Sequence, residues 1–525
     1  MDIKEIENEI DIAFEDNNIK SLSYSQAIWE ILSCLEEKHY QLLTSDISSY
    51  EKSAAVDNMI NLITHPLRVC FKNCTRRNFA LNSNYSKQNA NDACDWYSKA
   101  YDYNHFCSIF PLVHRKKLSL FIKEHEINTD KDLSNGVPYE AYNRFLYKTG
   151  ESIDRQVHVD VKQIINASQN YAFQLNGKIA IAWNAMLSKK IIHIFNKSQS
   201  HRYHLPDTWK FTHFSLGEFK KVAVAITALS YTRSVFTTIN ADTLPNYGYQ
   251  SRVWVISKEE LTKILVDALD FNEIKIKNIL EYLTFGAKGI QYPDAATQPL
   301  FDLEDNNYAI SPFLFINSDI ERNICSLLNQ IVDDKQIYSR LVDEKQHVLY
   351  AEIKNELSSF GFRCESGKVE NTDLDLAIID DENKFVLTVE LKWFIEPAEI
   401  REVIERAKEI EKGIKQAEKI KSLLTSNDFH IQKELLKIDD TYKHYSIVGS
   451  FNWAGPDWIQ SKKIPVIKIG HLMELIRKNK NLHDISTDLN NRKYLPVLGD
   501  DYEVVHFKIN SGNWYCDWYG LKSLK

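Results

Sequence analysis

The most informative region of this sequence is a pair of neighbouring stretches, Asp373-Leu-Asp-Leu-Ala-Ile-Ile379 and Lys384-Phe-Val-Leu-Thr-Val-Glu-Leu-Lys-Trp393. Both stretches have the composition and the alternation of a β-strand, in which successive side chains point to opposite faces. Asp373 and Asp375 therefore share one face of the first strand. Glu390 and Lys392, two residues apart, share one face of the second.

The residues between the two stretches, Asp380-Asp-Glu-Asn383, are turn formers. We therefore expect an antiparallel hairpin. A turn centred between Glu382 and Asn383 places Asp375 directly opposite Glu390, with Cβ atoms about 5 Å apart. The sequence thus predicts two carboxylates face to face, with a lysine beside them.

This arrangement suits phosphodiester hydrolysis. Two facing carboxylates repel each other unless they share a proton or a divalent cation lies between them. A hard cation held by oxygen ligands polarises a phosphate and lowers the pKa of an attacking water. Lys392 can orient that water or offset charge that develops in the transition state. The residues therefore predict a hydrolase that uses Mg2+ or Mn2+.

The order of Asp375 and then Glu390-Leu391-Lys392 resembles the motif of the PD-(D/E)XK nuclease superfamily. The similarity covers residues 341–480. It implies a restriction-endonuclease-like α/β domain, with a central mixed sheet flanked by helices. It also implies an element order: a helix with a glutamate, the aspartate strand, the Glu-x-Lys strand, a helix, a strand and a closing helix.

The resemblance implies further site residues. Glu352 is the glutamate of the first helix, with Glu356 as the alternative, and Gly361 closes that helix. The metal ligands would be Asp375, Glu390 and the backbone carbonyl of Leu391.

The resemblance also assigns the elements that follow the Glu-x-Lys strand. Residues 396–424 are similar to the next helix, where Gln416 falls at the place of a functional glutamine. Ile420 stands where some exonuclease-like members have a tyrosine. The remaining strands and the closing helix are similar to residues 444–449, 464–469 and 470–478.

Each of these assignments has a plainer alternative. The carboxylates and Lys392 could form an ordinary ion pair on a solvent-exposed sheet face. Gln416 could lie on the solvated surface of a helix stabilised by pairs such as Glu411 with Lys415.

The other parts of the chain are predicted from their periodicity. Residues 1–290 repeat apolar residues at helical spacing and form a mainly helical domain. Residues 291–340 form a β-hairpin and a helical connector. Residues 481–525 form an aromatic β-hairpin, whose side chains stack on bases or pack against protein: Trp514, Tyr515, Trp518 and Tyr519.

Two capping patterns, Ser257 with Glu260 and Asp270 with Glu273, predict consecutive helices that start near those residues. The two helices form either a helix-turn-helix or, as we favour, part of a bundle. Two basic runs, residues 114–117 and 201–204, either contact phosphates or are solvated surface.

The bulk composition limits the function classes. A chain of 525 residues is long enough for two or three domains, and its charge of −8 argues against nonspecific coating of nucleic acid. Eight cysteines without regular spacing predict reduced thiols in a cytoplasmic protein, with zinc as an alternative. The candidate zinc ligands are Cys70, Cys74, Cys94, His105 and Cys107. No stretch has the roughly 20 consecutive apolar residues expected of a spanning helix, so no membrane is expected as a partner.

The combined interpretation is a metal-dependent nuclease that cleaves DNA, with RNA as the alternative substrate, in bacterial phage defence or restriction. Asp375, Glu390, Lys392, Glu352 and Gln416 would act in catalysis. The helical domain would sense a trigger or partner protein, form homo-oligomers or position the substrate. The competing hypothesis is a nuclease-like scaffold or nucleic-acid-binding protein without activity.

Overall fold

A computed structural model describes residues 2–46, 49–76, 80–145, 159–197, 205–369, 372–397 and 399–524. The chain is a mixed α/β protein, with mostly helices in its N-terminal region and several sheets towards its C-terminus. The helices are α1 Ile3–Glu15, α2 Tyr24–Leu43, α3 Ser49–Asn73, α4 Lys87–His114, α5 Pro138–Arg144, α6 Val161–Ser168, α7 Ala185–Asn196, α8 Leu216–Ile239, α9 Tyr249–Arg252, α10 Lys258–Leu269, α11 Glu273–Leu283, α12 Pro312–Ile316, α13 Ile320–Leu328, α14 Val332–Ser359, α15 Ile400–Thr425, α16 Ile469–Lys478 and α17 Leu482–Asn490.

Within the described ranges the strands form four sheets. They are β1 Leu120–Lys123, β2 Glu126–Thr129, β3 Ala172–Leu175, β4 Lys178–Ile181, β5 Trp254–Ser257, β6 Leu300–Asp302, β7 Asn307–Ile310, β8 Arg363–Val369, β9 Thr372–Asp380, β10 Phe385–Lys392, β11 Lys443–Ser450, β12 Val466–Lys468, β13 Tyr502–Ser511 and β14 Trp514–Ser523.

The chain folds into two compact units that interleave along the sequence. Unit 1 contains residues 1–105, 155–341 and 510–514, and unit 2 contains residues 106–154, 342–509 and 515–525. The boundary between residues 341 and 342 is within one residue of the one predicted at 340, whereas the two units have no boundary near 290 or 480. Periodicity shows where elements are, but it does not show which distant segments pack together.

Unit 1 is built mainly from helices. Its large core cluster contains aromatic and aliphatic residues of α2, α3 and α4, including the fully buried Trp29 and Trp96. The predicted hairpin of the connector is present as β6 and β7, which pair Leu300 with Ile310, and β5 adds a third strand. One helix among the described residues, α8, is long and apolar enough to cross a membrane, and 78% of its most apolar window is buried.

The predicted start of α10 is correct, because the Ser257 side chain accepts a hydrogen bond from the Glu260 amide. The predicted start of α11 near Glu273 is also correct, but the capping residue predicted for it, Asp270, is wrong. Asp270 ends the preceding helix in the left-handed conformation (φ 57°), and Asn272 caps α11. Both helices bury their apolar faces, and α10 contacts α7, α8 and α11, as in a bundle.

Unit 2 contains a five-stranded mixed sheet in the order β12-β11-β10-β9-β8. The β8–β9 and β9–β10 pairs are antiparallel, whereas β11 and β12 run parallel to β10. Helix α15 connects β10 to β11 and packs on both strands. The strand β8 was not predicted, because its sequence, Arg-Cys-Glu-Ser-Gly-Lys-Val, has few residues that favour strands and contains a bulge between Glu365 and Gly367.

The C-terminal strands β13 and β14 join β1 and β2 in a four-stranded sheet. Their aromatic side chains are mostly buried: Trp518 and Tyr519 are 8% and 7% exposed, and Lys131 lies over the Tyr519 ring. Trp514 donates a hydrogen bond to Glu9. The packing alternative therefore describes these aromatics better than stacking on bases.

Candidate active site on the central strands of unit 2

The register of β9 and β10 is the predicted one. The pairs run from Phe385 opposite Asp380 to Val389 opposite Leu376, so the next step along the strands places Glu390 opposite Asp375. β10 continues along β11 as far as Lys392 opposite Ser450. Asp375, Glu390 and Lys392 therefore lie at the same end of two neighbouring central strands.

Asp375 is held by the backbone of the neighbouring strand. Its Oδ2 atom accepts a hydrogen bond of 2.8 Å from the backbone amide of Leu391. The carbonyl of Lys392 accepts from the Phe451 amide on the other side of β10. Backbone carbonyls of successive strand residues point to opposite edges of the strand, so the Leu391 carbonyl points towards β9. It therefore lies on the same edge of β10 as Asp375, and the two could bind one cation.

Lys392 lies between Glu390 and Gln416. Its Nζ atom is 2.6 Å from Oε1 of Glu390 and 3.1 Å from Oε1 of Gln416 on α15. The exposed fractions of the Lys392 and Glu390 side chains are only 15% and 3%. The pair is therefore buried, and the alternative of an ion pair on a solvent-exposed sheet face does not describe it.

The two carboxyl groups have perturbed acidity. Burial, and then the negative charge of Asp375, raise the pKa of Glu390 to about 7, although Lys392 opposes the shift. Burial also raises the pKa of Asp375, against the hydrogen bond from Leu391 and the charge of Lys392. Near neutral pH the two carboxyl groups therefore tend to keep a proton, because two ionised carboxylates would repel each other. A bound cation would reduce this repulsion.

The donor set fits a hard divalent cation. Two carboxylates and a backbone carbonyl offer only oxygen atoms, which Mg2+ and Mn2+ prefer. Among the described residues, no group of three or more His, Cys, Asp and Glu side chains lies close enough to hold a metal. A cation at Asp375 and Glu390 would accordingly complete its coordination with Leu391 and water, as Mg2+ commonly does.

The structure brings Gln416 to the site but not Glu352. Glu352 is exposed on α14, whose buried residues Ile353 and Leu357 belong to the cluster of Leu376 and Ile378 on β9. Those strand residues alternate with Asp375 and point away from it. Within the part of the chain that the structure describes, Glu352 makes no hydrogen bond or ion pair with Asp375, Glu390 or Lys392.

The alternative helix glutamate, Glu356, is also engaged elsewhere. Its carboxylate pairs with Arg477 on α16 at 2.6 Å. A catalytic role for Glu352 or Glu356 stays a prediction, and their positions on α14 do not support it.

Gly413 is a site residue that the sequence analysis missed. A Cβ atom at this position would lie 2.8 Å from Cε and 3.3 Å from Cγ of Lys392, and 3.5 Å from Cγ of Glu390. The absent side chain lets α15 approach β10 closely enough for Gln416 to reach Lys392. A glycine inside a long helix lowers its stability by about 1 kcal/mol relative to alanine. A glycine in the middle of the predicted helix was therefore the sequence signal that could have identified Gly413.

Of the candidate zinc ligands, Cys70 and Cys74 interact with each other, but among the described residues no group of three potential ligands forms. Cys94 instead lies 3.4 Å (Sγ to Sγ) from Cys34, which was not among them. The first basic run pairs with α15, because Arg115 lies 3.6 Å from Glu405 and Lys117 lies 3.7 Å from Glu411. Glu411 thus pairs with Lys117 and not with the predicted Lys415, while residues 201–204 lie outside the described residues.

No protein-family model, curated protein or solved structure matches this chain.

The raised pKa of Glu390 predicts how stability depends on pH. A carboxyl group whose pKa is higher in the folded state loses stabilisation as the pH rises from its unfolded value near 4.5 to its folded value of about 7. Asp375→Asn removes the neighbouring charge and keeps an acceptor for the Leu391 amide. We expect this variant to unfold at a higher temperature than wild type at pH 8 in EDTA, and to show little difference at pH 4.5, in calorimetry.

An equal gain at both pH values would contradict the charge repulsion. Glu382→Gln, at an exposed position in the turn between β9 and β10, is the control and should leave the difference between pH 8 and pH 4.5 unchanged.

Gly413 predicts a coupling with Lys392 that is measurable without any activity assay. Gly413→Ala should gain about 1 kcal/mol of helix stability in a Lys392→Ala background, where the clash is absent. In the presence of Lys392 we expect the gain to shrink by at least about 0.5 kcal/mol, because the lysine must move. Chemical denaturation of the four proteins measures this coupling.

The exposed α15 residue Ser422 supplies the control, since Ser422→Ala should be additive with Lys392→Ala. Additivity of Gly413→Ala as well would show that the glycine does not constrain the lysine.

Proposed function

We propose that unit 2 is a metal-dependent nuclease of the PD-(D/E)XK type that hydrolyses phosphodiester bonds in DNA. The observation that carries the proposal is the constellation of a buried Glu390 and the half-buried Asp375 and Lys392 on adjacent strands, with Lys392 Nζ 2.6 Å from Glu390. A buried ion pair contributes little net stability, because desolvation offsets the attraction. Perturbed, buried charges of this kind are typical of catalytic sites.

The arrangement of elements supports the finer fold proposal, a restriction-endonuclease-like core. From α14 the chain runs through β8, β9 and β10 to α15, and then through β11 and β12 to α16. This order agrees with the one that the motif implies, with β8 as an additional strand. The mixed sheet with a parallel pair after α15 is also in keeping with it.

The chain's own residues have separable tasks in this proposal. Asp375 and Glu390, with the Leu391 carbonyl, would hold the cation, which supplies polarisation of the phosphate and acidification of water. Lys392 carries the positive charge beside the scissile group and orients the attacking water. Gln416 and Glu390 fix the position of the Lys392 ammonium, so its approach to the substrate costs no reorganisation.

The proposal extends to the biological setting by analogy of architecture alone: a bacterial cytoplasmic protein of phage defence or restriction, with unit 1 sensing a trigger, forming oligomers or positioning the substrate.

Cleavage assays test the catalytic proposal directly. Wild-type protein should cut linear or circular double-stranded DNA with Mg2+ or Mn2+ and not with EDTA. Lys392→Ala and Asp375→Ala should each lower the rate by at least about 100-fold, since each removes a group that acts in the transition state. The control is Lys443→Ala, at the end of β11 away from Ser450, which lies opposite Lys392. This variant should cleave DNA at the wild-type rate.

Circular substrate separates endonucleolytic from exonucleolytic cleavage, and a labelled RNA tests the alternative substrate. Wild-type activity that survives in both variants would place the chemistry elsewhere. Protein that is folded and inert on every substrate with each metal would favour the scaffold hypothesis.

Metal binding should be visible as stabilisation of the folded protein. A cation that binds only the folded state at about 100 times its Kd adds roughly 2.7 kcal/mol. We expect Mg2+ or Mn2+ to raise the unfolding temperature of wild type more at pH 8 than at pH 5.5, because protons compete for Glu390. The increase should disappear in Glu390→Gln. If this variant responded to the metal as wild type does, the cation would have to bind at another site.

A further inference from the structure

Three lysines on α15 surround the glutamine of the site. Lys412 lies one turn before Gln416, Lys419 lies one turn after it, and Lys415 is its immediate neighbour. Because residues three and four apart are neighbours on a helix, the three ammonium groups form one continuous row beside Gln416. We call Lys412, Lys415 and Lys419 the lysine row.

The lysine row has no ion-pair partner among the described residues. None of the three side chains makes a hydrogen bond or an ion pair there. Two acidic residues of α15 pair with other cations, Glu405 with Arg115 and Lys408 and Glu411 with Lys117, and Glu418 accepts a hydrogen bond from Ser461. Lys412 and Lys415 are exposed and Lys419 is half-buried, so the row presents positive charge to solvent.

The lysine row is next to the candidate catalytic groups. Gln416, which the row surrounds, accepts a hydrogen bond of 3.1 Å from Lys392. Leu423, one turn beyond Lys419, packs against the cluster of Leu374 and Ala377 on β9. The row thus borders the side of α15 that faces the strand of Asp375.

The length of the row matches a nucleic-acid strand. Seven residues of helix separate Lys412 from Lys419, which is about 10 Å at 1.5 Å per residue. One strand of a duplex carries a phosphate for every 3.4 Å of helix axis, so the row spans about three phosphates. Lysine on a flexible stem is suited to such nonspecific phosphate contacts.

We propose that the lysine row binds the phosphate backbone of the substrate strand next to the bond that is cleaved. The inference rests on the proposed function and identifies the surface that binds the nucleic acid beside the candidate active site. It gives α15 two tasks: Gly413 and Gln416 set the position of Lys392, and the row on the adjoining surface places the backbone beside it. The net negative charge of the whole chain then confines productive binding to this local cationic surface.

The test is binding without cleavage, measured on the full chain. Every protein carries Asp375→Asn and is kept in EDTA, and binding of a fluorescently labelled DNA duplex is followed by anisotropy over a series of salt concentrations. The test variant is Lys412→Gln with Lys415→Gln and Lys419→Gln, which keeps good helix formers on α15. The matched control is Lys433→Gln with Lys437→Gln and Lys443→Gln, three exposed lysines towards the opposite end of the sheet.

We expect the test variant to bind at least about tenfold more weakly at 0.1 M salt, and to lose about 2 to 3 from the slope of log affinity against log salt. The control variant should keep the affinity and slope of its parent. Circular dichroism and the unfolding temperature check that both variants keep the helix content and stability of their parent. Equal affinity and slope in the test variant and the parent would overturn the proposal while leaving the catalytic function intact.

Two further outcomes separate this inference from the catalytic one. If the parent binds neither DNA nor RNA, the lysine row is overturned together with the nuclease. If binding depends on the row but protein with an intact Asp375 cleaves nothing with any metal, the surface stands and the hydrolytic proposal fails.

Discussion

The register between β9 and β10 is the constraint on which the site depends. Strand side chains alternate between faces, so a slip of one residue would turn Asp375 away from Glu390 and expose apolar residues in its place. The connecting turn holds the register through Asp380, whose carboxylate accepts hydrogen bonds from the amide and the side chain of Asn383. Lys384 completes the turn in the left-handed conformation, at φ 49°. The turn lies far from the carboxyl pair along the strands, yet it determines which residues meet there.

The helix that covers this face satisfies two opposing requirements. It must exclude water well enough to perturb the acidity of Glu390, and it must leave room for the lysine that partly compensates the charge. Gly413 meets both requirements, because it lets the helix approach without displacing Lys392. Further along α15, Ile420 and Leu424 pack with Ile379 and Val386 and stabilise the helix on the sheet. Close packing at one end of α15 therefore supports a polar contact near its middle.

The success of the sequence analysis followed the strength of local signals. The alternation in β9 and β10 and the polar turn between them are local features, so the hairpin and the facing of Asp375 and Glu390 were predictable. β8 was not, because its residues have weak strand propensity and it depends on pairing with β9. The cap of α11 was misassigned because Asp270 and Asn272 are both good capping residues, and only the backbone conformation distinguishes them.

Tertiary relationships were less accessible. Glu352 was chosen from the order of elements, but the orientation of α14 depends on which of its residues pack, namely Ile353 and Leu357. Gly413 required knowledge of what crosses beneath the helix. The inclusion of residues 106–154 in unit 2 has no local signature at all.

The interleaving of the two units has a consequence for how the protein is made. A ribosome releases the chain from its N-terminus, and the three segments of unit 2 each follow a segment of unit 1. The strands of the carboxyl pair can form once residue 392 has emerged, but their sheet also needs β11 and β12, and the neighbouring sheet of unit 2 needs β14. The sheet that carries the carboxyl pair is therefore complete only after residue 468 has been synthesised, and chains that stop before this point would lack part of it.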